Sequence, residues 1–396
     1  MAKPELLAPA GDLERLNAAI RFGADAVYLG GPMLQLRAGI AGFNMENLKI
    51  AVDTAHGLGK KIYVTVNSFV KDSEVELLPD YAKALYGLGV DAAIVSDIGA
   101  ICTMKEAVPE LEIHVSTQAN CLNRASARHY YAMGAKRVIL AREASLEEIR
   151  RIREATPPEL DIECFIHGAM CMSYSGRCLL SAYMNGRSGN RGDCSQPCRY
   201  AYVLSTPGED GDYYPVFEDE GGTMLLSSRD LNTMSFIDAI IDAGVSSLKI
   251  EGRMKSTYYV STVVNAYRHR LDGTAPRELC EAELNCASHR DYTSGFYFGE
   301  ARTVKAAGPG YVQDCVFIAM VLGEENGRYI IEQRNNFRLG DRLELLSPHS
   351  MGESFTVEDM RDMDGNPVDY APHPKQKLSI ASPVKLSAGD ILRRRV

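Results

Sequence analysis

The stretch Glu5-Leu-Leu-Ala-Pro-Ala-Gly-Asp-Leu-Glu-Arg-Leu-Asn-Ala-Ala-Ile-Arg-Phe-Gly-Ala-Asp-Ala-Val-Tyr-Leu29 reads as strand, helix, strand. Glu5 to Ala8 is a short apolar run, and Asp12 stands where an N-cap carboxylate accepts one of the unpaired N–H groups that open a helix. Leu13, Leu16, Ala19 and Ile20 share one helical face, Gly23 follows the last turn, and Ala26 to Leu29 begins the next strand. Such a unit joins parallel strands by a right-handed crossover.

The rhythm continues through Lys61 to Val66, Ala92 to Ser96, Glu112 to Val115, Arg137 to Leu140, Asp161 to Phe165 and Ser247 to Ile250, each associated with a helical pattern. Eight such units predict an α/β fold, a (β/α)8 TIM-like barrel, with an open doubly wound sheet as the alternative. Tyr200 to Leu204, Tyr213 to Phe217 and Met224 to Ser227 are separated by Gly-rich turns and read as an antiparallel insertion before the eighth strand. Near Gly308-Pro309-Gly310 the helical patterns give way to Val316 to Val321, Tyr329 to Glu332, Arg342 to Leu346, Ser354 to Val357 and Leu378 to Ala381. The expected organisation is therefore a catalytic barrel over 1–307, interrupted at about 171–228, and a small C-terminal β-barrel domain over 308–396.

With 45% hydrophobic and 24% charged residues in 396, the composition is that of a globular protein. No apolar run has the length of a signal peptide or a membrane span, which places the chain in the cytoplasm. The net charge of -9 means that any contact with nucleic acid must come from a local basic surface. Arg177, Arg187, Arg191, Arg199, Arg253 and Lys255 supply one, while Arg393-Arg394-Arg395 reads as a solvated tail.

Ten cysteines in such a chain are read as reduced thiols rather than a disulfide framework. Cys171, Cys178, Cys194 and Cys198 fall within 28 residues, in a segment rich in glycine. Soft thiolates brought together by sharp turns suit an iron-sulfur cluster or zinc. Six residues separate the first pair, more than the two to four usual in structural zinc sites, yet spacing alone leaves both metals and buried structural thiols open.

The segment Glu163-Cys-Phe-Ile-His-Gly-Ala-Met-Cys-Met-Ser-Tyr-Ser-Gly-Arg-Cys-Leu-Leu-Ser181 resembles the signature of the U32 "peptidase" family. Pro4 to Gly11, Ser116-Thr-Gln-Ala-Asn120, Arg191 to Arg199, Ser228-Arg-Asp-Leu231 and Lys249 to Lys255 resemble further blocks of that family. The resemblance implies a 4Fe-4S cluster on Cys171, Cys178, Cys194 and Cys198. Cys198 is the local choice for the fourth ligand, since Arg199 to Asn265 contains no cysteine. Length, insertion and β-rich tail resemble most the prephenate-dependent proteins that form 5-hydroxyuridine at the wobble position of tRNA. The implied partners are therefore tRNA, prephenate as co-substrate and a second U32 chain. Other members of the family imply hydroxylation of a ribosomal RNA cytidine or a quinone precursor, or peptide cleavage. No His-Glu-x-x-His or Gly-x-Ser-x-Gly motif supports the last.

In a barrel the C-terminal strand ends face the active site. That rule selects Gln118 after the fifth strand, His167 after the seventh, and Glu251 and Arg253 after the eighth, with Asn67, Asp97, Ser116, Arg142 and Glu143 at other strand ends. Glu163, inside the seventh strand, is a candidate for proton chemistry or an inter-strand ion pair. Glu251 and Arg253 share one side by the two-residue period, and Tyr174 or Tyr183 is placed to stack an extruded uracil that Gln118 would hydrogen-bond.

Overall fold

The computed structural model describes residues 3–36, 42–171, 173–200, 228–299 and 311–396. Contacts divide the chain into two compact units: Met1–Leu16, Ala24–Lys255 and Arg290–Tyr311 form the first, and Asn17–Gly23, Ser256–His289 and Val312–Val396 the second.

In the first unit eight parallel strands close on themselves: β1 (Glu5–Pro9), β2 (Ala26–Gly30), β3 (Lys61–Val66), β4 (Ala92–Val95), β5 (Glu112–Val115), β6 (Arg137–Ile139), β7 (Asp161–Ala169) and β8 (Ser247–Ile250). Each pairs with the next through β7, and β8 pairs with both β7 and β1, placing Ser247 opposite Glu163 and Glu5. The barrel is thus closed and the open-sheet alternative falls. Nearly every strand residue is buried, as parallel strands covered on both faces require.

Capping fixes where the helices begin. Asp12 accepts the Arg15 N–H at 2.9 Å, as expected, and Asn44, Asp97 and Asn123 cap later helices in the same way. Ser145 and Glu148 form a reciprocal capping box on Leu146–Glu154, where Leu146, Ile149 and Ile152 make the buried stripe.

Strand β7 runs four residues beyond the expected Phe165, so His167 lies inside it rather than past its end. A short strand, Asp230–Asn232, pairs antiparallel with this extension and supplies hydrogen-bond partners that a barrel neighbour alone would not. Tyr292–Thr293 then adds in parallel to Asp230–Asn232. The three expected insertion strands and the Gly308-Pro309-Gly310 turn lie outside the described residues, apart from Tyr200.

The second unit contains the helices Thr257–Asp272 and Arg277–Leu284 and an antiparallel seven-stranded sheet. Cys315–Glu325 lies at the sheet's centre, between Ile391–Arg395 and Arg328–Gln333. Ile318, Val321, Ile331, Phe337, Leu343, Phe355, Leu378 and Leu392 belong to its core. Arg393 is fully buried, contrary to its reading as part of a solvated tail. It lies in the last strand, with Glu283 at 2.8 Å and Glu344 as its counter-ions. No described helix is long and apolar enough to cross a membrane.

Candidate active site at the cysteine-lined barrel mouth

A cavity of about 470 Å3 opens at the C-terminal ends of the barrel strands. Thr65, Asn67, Ser116, Gln118, Arg142, Glu251 and Arg253 line it, and all four clustered cysteines contribute to its wall.

The cysteine loop is braced from several elements. Glu143 accepts both the backbone N–H and the hydroxyl of Ser175, at 3.0 and 3.1 Å. Asn190 donates to the Cys178 carbonyl at 2.8 Å, and its own carbonyl receives the Phe69 N–H. Ser181 and Ser195 hydroxyls meet at 3.0 Å. Gly176 has φ +75° and passes so close to the Gln118 carbonyl that a Cβ there would overlap it.

Arg191 grips Glu74 through two hydrogen bonds, at 2.9 and 2.7 Å, tying the loop to the segment after β3. That contact, helped by the Lys71 N–H, holds the Glu74 carboxyl down at about 2, against an ordinary 4.5. A carboxyl lowered on folding contributes its stability in full above the unfolded value and loses it as pH falls through the folded one. Between about pH 4.5 and 2, the melting temperature of Glu74→Gln is therefore expected to fall less than that of the wild type, the two curves converging at the acid end. Parallel curves in thermal melts across that range would exclude the contact as a source of acid sensitivity.

The sulfurs of Cys171, Cys178 and Cys194 stand within electrostatic reach of Cys198. Burial pushes the Cys198 thiol up, and Cys171, Cys194 and Cys178 push it further while Arg199 opposes them. Among the described residues no three His, Cys, Asp or Glu side chains are gathered as the ligands of one metal ion would be. The donor set is nevertheless four soft thiols lining one cavity, chemistry that fits an iron-sulfur cluster, whose ligands are spread over several irons.

The expected polar residues separate into two groups. Gln118, Glu251 and Arg253 line the cavity with the cysteines; Glu163 and His167 do not. Glu251 pairs with Arg142 at 3.0 Å, whose guanidinium stacks on Phe165 at 3.9 Å. Arg253 donates to Thr65 at 3.1 Å and to Gln35. Asn67 donates to Ser116 at 3.3 Å, and Asp97 serves as a helix cap. His167 is buried, its ring 5.6 Å from Tyr292. Fully buried Glu163 takes part in an ion network with Lys249 at 2.9 Å and Arg137 at 3.0 Å.

Lys249 is a charged lining residue inside a barrel strand, which the strand-end rule passed over. Its ammonium lies over the Tyr28 ring at 4.3 Å, and burial draws its pKa below the usual lysine range despite Glu163. The two-residue period that grouped Glu251 with Arg253 includes Lys249 as well, so the signal was present.

The surface cations also divide. Arg187 pairs with Asp193 at 2.7 Å and Arg191 with Glu74, whereas Arg177 and Arg199 form no ion pair among the described residues. Tyr174 lines the cavity and is 59% exposed; Tyr183, 90% exposed, lies outside the lining.

A closed barrel with four thiols, a carboxylate and five cations around one mouth defines the molecule as a (β/α)8-barrel protein with a cysteine-lined cavity. The chain belongs to peptidase family U32: the family model matches residues 11–306, and that of the family's C-terminal domain matches 313–393. It is 38% identical to tRNA hydroxylation protein P1 of Bacillus subtilis, over 99% of this chain and 95% of that protein. It is also 38% identical to tRNA hydroxylation protein P of Escherichia coli, over 94% and 92%. A collagenase of Porphyromonas gingivalis is 34% identical over 75% of this chain and 74% of its own length.

Proposed function

We propose that this chain is an iron-sulfur-dependent tRNA hydroxylase that forms 5-hydroxyuridine at the wobble position, with prephenate as hydroxyl donor. The observation that carries the reading is the meeting of Cys171, Cys178, Cys194 and Cys198 with Arg142, Lys249 and Arg253 around one cavity. Similarity to two tRNA hydroxylation proteins over nearly the whole chain supports the substrate class.

The four cysteines would hold the cluster, which when bound supplies one-electron redox chemistry. Arg142, Arg253 and Lys249 are cations of the cavity lining, a charge pattern suited to an anionic co-substrate such as prephenate. The Arg142 guanidinium stacks on Phe165 and the Lys249 ammonium lies over the Tyr28 ring, which helps hold both cations in place. Tyr174 at the mouth offers a face for the extruded base and Gln118 a hydrogen-bonding edge. A second U32 chain is the proposed protein partner, and the cytoplasm the proposed location.

Deletion of the gene is expected to remove 5-hydroxyuridine and modifications built on it from tRNA, as read by nucleoside mass spectrometry, with recovery when the gene is returned. Unchanged tRNA in a strain lacking any redundant pathway would reject the substrate, and loss of a ribosomal cytidine modification would move the reading to ribosomal RNA. The similarity to a collagenase gives peptide cleavage as the second reading, favoured if cleavage survives Cys171→Ser.

A further inference from the structure

Cys286 and Cys315 are not among the residues that line the cavity, and both belong to the second unit. The chain leaves that unit after His289 and returns to it at Val312. At this neck the departing and returning segments are held together by backbone hydrogen bonds. His289 N–H donates to the Val312 carbonyl at 3.1 Å, Val312 N–H donates back at 2.8 Å, and Asp314 N–H donates to the Asn285 carbonyl at 2.9 Å. Cys286 and Cys315 each lie one residue beyond that last contact. Both are fully buried, and their sulfurs are 3.0 Å apart. Among the described residues no other two thiols share a hydrogen bond.

A disulfide measures about 2.05 Å between sulfurs, so closure here requires an approach of about 1 Å, at a place where the backbone pairing already fixes both segments. Cys315 Sγ donates to Cys286 Sγ. Arg393 and Arg395 stand within electrostatic reach of both sulfurs and favour their ionised form. Two hydrogen-bonded thiols beside cations are the arrangement of a dithiol that oxidises as a pair.

We propose that Cys286 and Cys315 form a peroxide-sensitive dithiol that closes into a disulfide across this neck. One of the two sulfurs, as its thiolate, attacks one peroxide oxygen, the O–O bond breaks, and a sulfenic acid and one water result after proton transfer. The other sulfur then attacks the sulfenic sulfur, forming the S–S bond and releasing a second water. Two thiols lose two hydrogens and two electrons, and hydrogen peroxide is reduced to two waters.

The loop so closed carries Arg290, which pairs with Asp230 at 2.6 Å, and Tyr297, whose hydroxyl donates to the Phe165 carbonyl at 2.5 Å. Oxidation closes this loop covalently within the second unit, to which both cysteines belong. It also shortens the unfolded chain by a covalent loop, which raises the unfolding temperature.

The test uses the full chain, prepared reduced and without oxygen and then exposed to graded hydrogen peroxide. Remaining thiols are alkylated in denaturant and the peptides mapped by mass spectrometry. The expected result is a Cys286–Cys315 linked peptide formed while Cys121, Cys164 and Cys280 stay alkylatable, with a rise in unfolding temperature that Cys286→Ala abolishes. In Cys286→Ala the Cys315 sulfur is expected to stop at the sulfenic acid, trapped by dimedone. Cys286 and Cys315 recovered as free thiols at doses that oxidise Cys102, or each over-oxidised separately, would overturn the proposal. The wild-type peptide map decides this whether or not the variant folds.

Discussion

Cys171→Ser, Cys178→Ser, Cys194→Ser and Cys198→Ser are each expected to lose or destabilise bound iron and to fail to restore tRNA modification, while the barrel stays folded. Protein prepared without oxygen should be brown, with about four irons and four acid-labile sulfides per chain. Replacing Sγ by Oγ exchanges a soft thiolate for a hydroxyl that does not ionise at neutral pH, a poor partner for iron. The loop itself should persist, because its braces are made by other groups: Glu143 on Ser175, Asn190 on the Cys178 carbonyl, Ser181 on Ser195 and Arg191 on Glu74. Circular dichroism and iron content measured on the same samples separate loss of metal from loss of fold. Cys280→Ser and Cys315→Ser, outside the cavity, should retain iron. A colourless wild-type protein carrying one zinc would sink the cluster, and a full cluster in Cys198→Ser would move the fourth ligand elsewhere.

The barrel was legible because its signals are local. Asp12, the stripe from Leu13 to Ile20 and the strand from Ala26 specify one β-α-β unit without help from the rest of the chain, and the pattern repeats. The cysteines were legible because four thiols in 28 residues are rarely needed for packing. What escaped depends on partners far away in sequence. The extension of β7 needs Asp230–Asn232 as its pairing strand, more than sixty residues on, so His167 could not be assigned to a strand from its own neighbourhood. Arg393 reads as surface until Glu283 and Glu344, 110 and 49 residues away, are placed beside it. Lys249 was missed for a different reason: the rule that active residues follow strand ends excludes a residue inside β8, although alternate residues of a barrel strand point inward.

Glu163→Ala is expected to destabilise the barrel by about 3–5 kcal/mol, because it leaves buried positive charge without its counter-ion. Glu163 is fully buried between Lys249 at 2.9 Å and Arg137 at 3.0 Å, with the Ser247 hydroxyl at 3.1 Å. Burial alone would raise its carboxyl, but Lys249 and then Arg137 outweigh it and keep the group ionised. Of a total stability of about 5–15 kcal/mol, a loss of that size removes much of the margin. The two cations are not stranded equally. Arg137 retains Glu5 at 2.6 Å and Asp161 at 3.4 Å, so most of the cost falls on Lys249, whose remaining contact is chiefly the face of Tyr28. Adding Lys249→Met to Glu163→Ala should therefore recover a large part of the loss, since it replaces a stranded ammonium by an apolar chain of similar length. Urea unfolding of the two single variants and the double, compared at equal slope, measures that coupling. Strictly additive losses would mean that the pair is not the origin of the cost. Glu163→Gln separates structure from chemistry: it keeps the shape and a hydrogen bond to Lys249 but removes the charge and the capacity to take a proton. A Glu163→Gln protein that folds, holds its iron and modifies tRNA assigns the carboxylate to holding Lys249 in the cavity lining. One that folds and holds iron yet modifies nothing, while Lys249→Met remains active, assigns it to the proton chemistry.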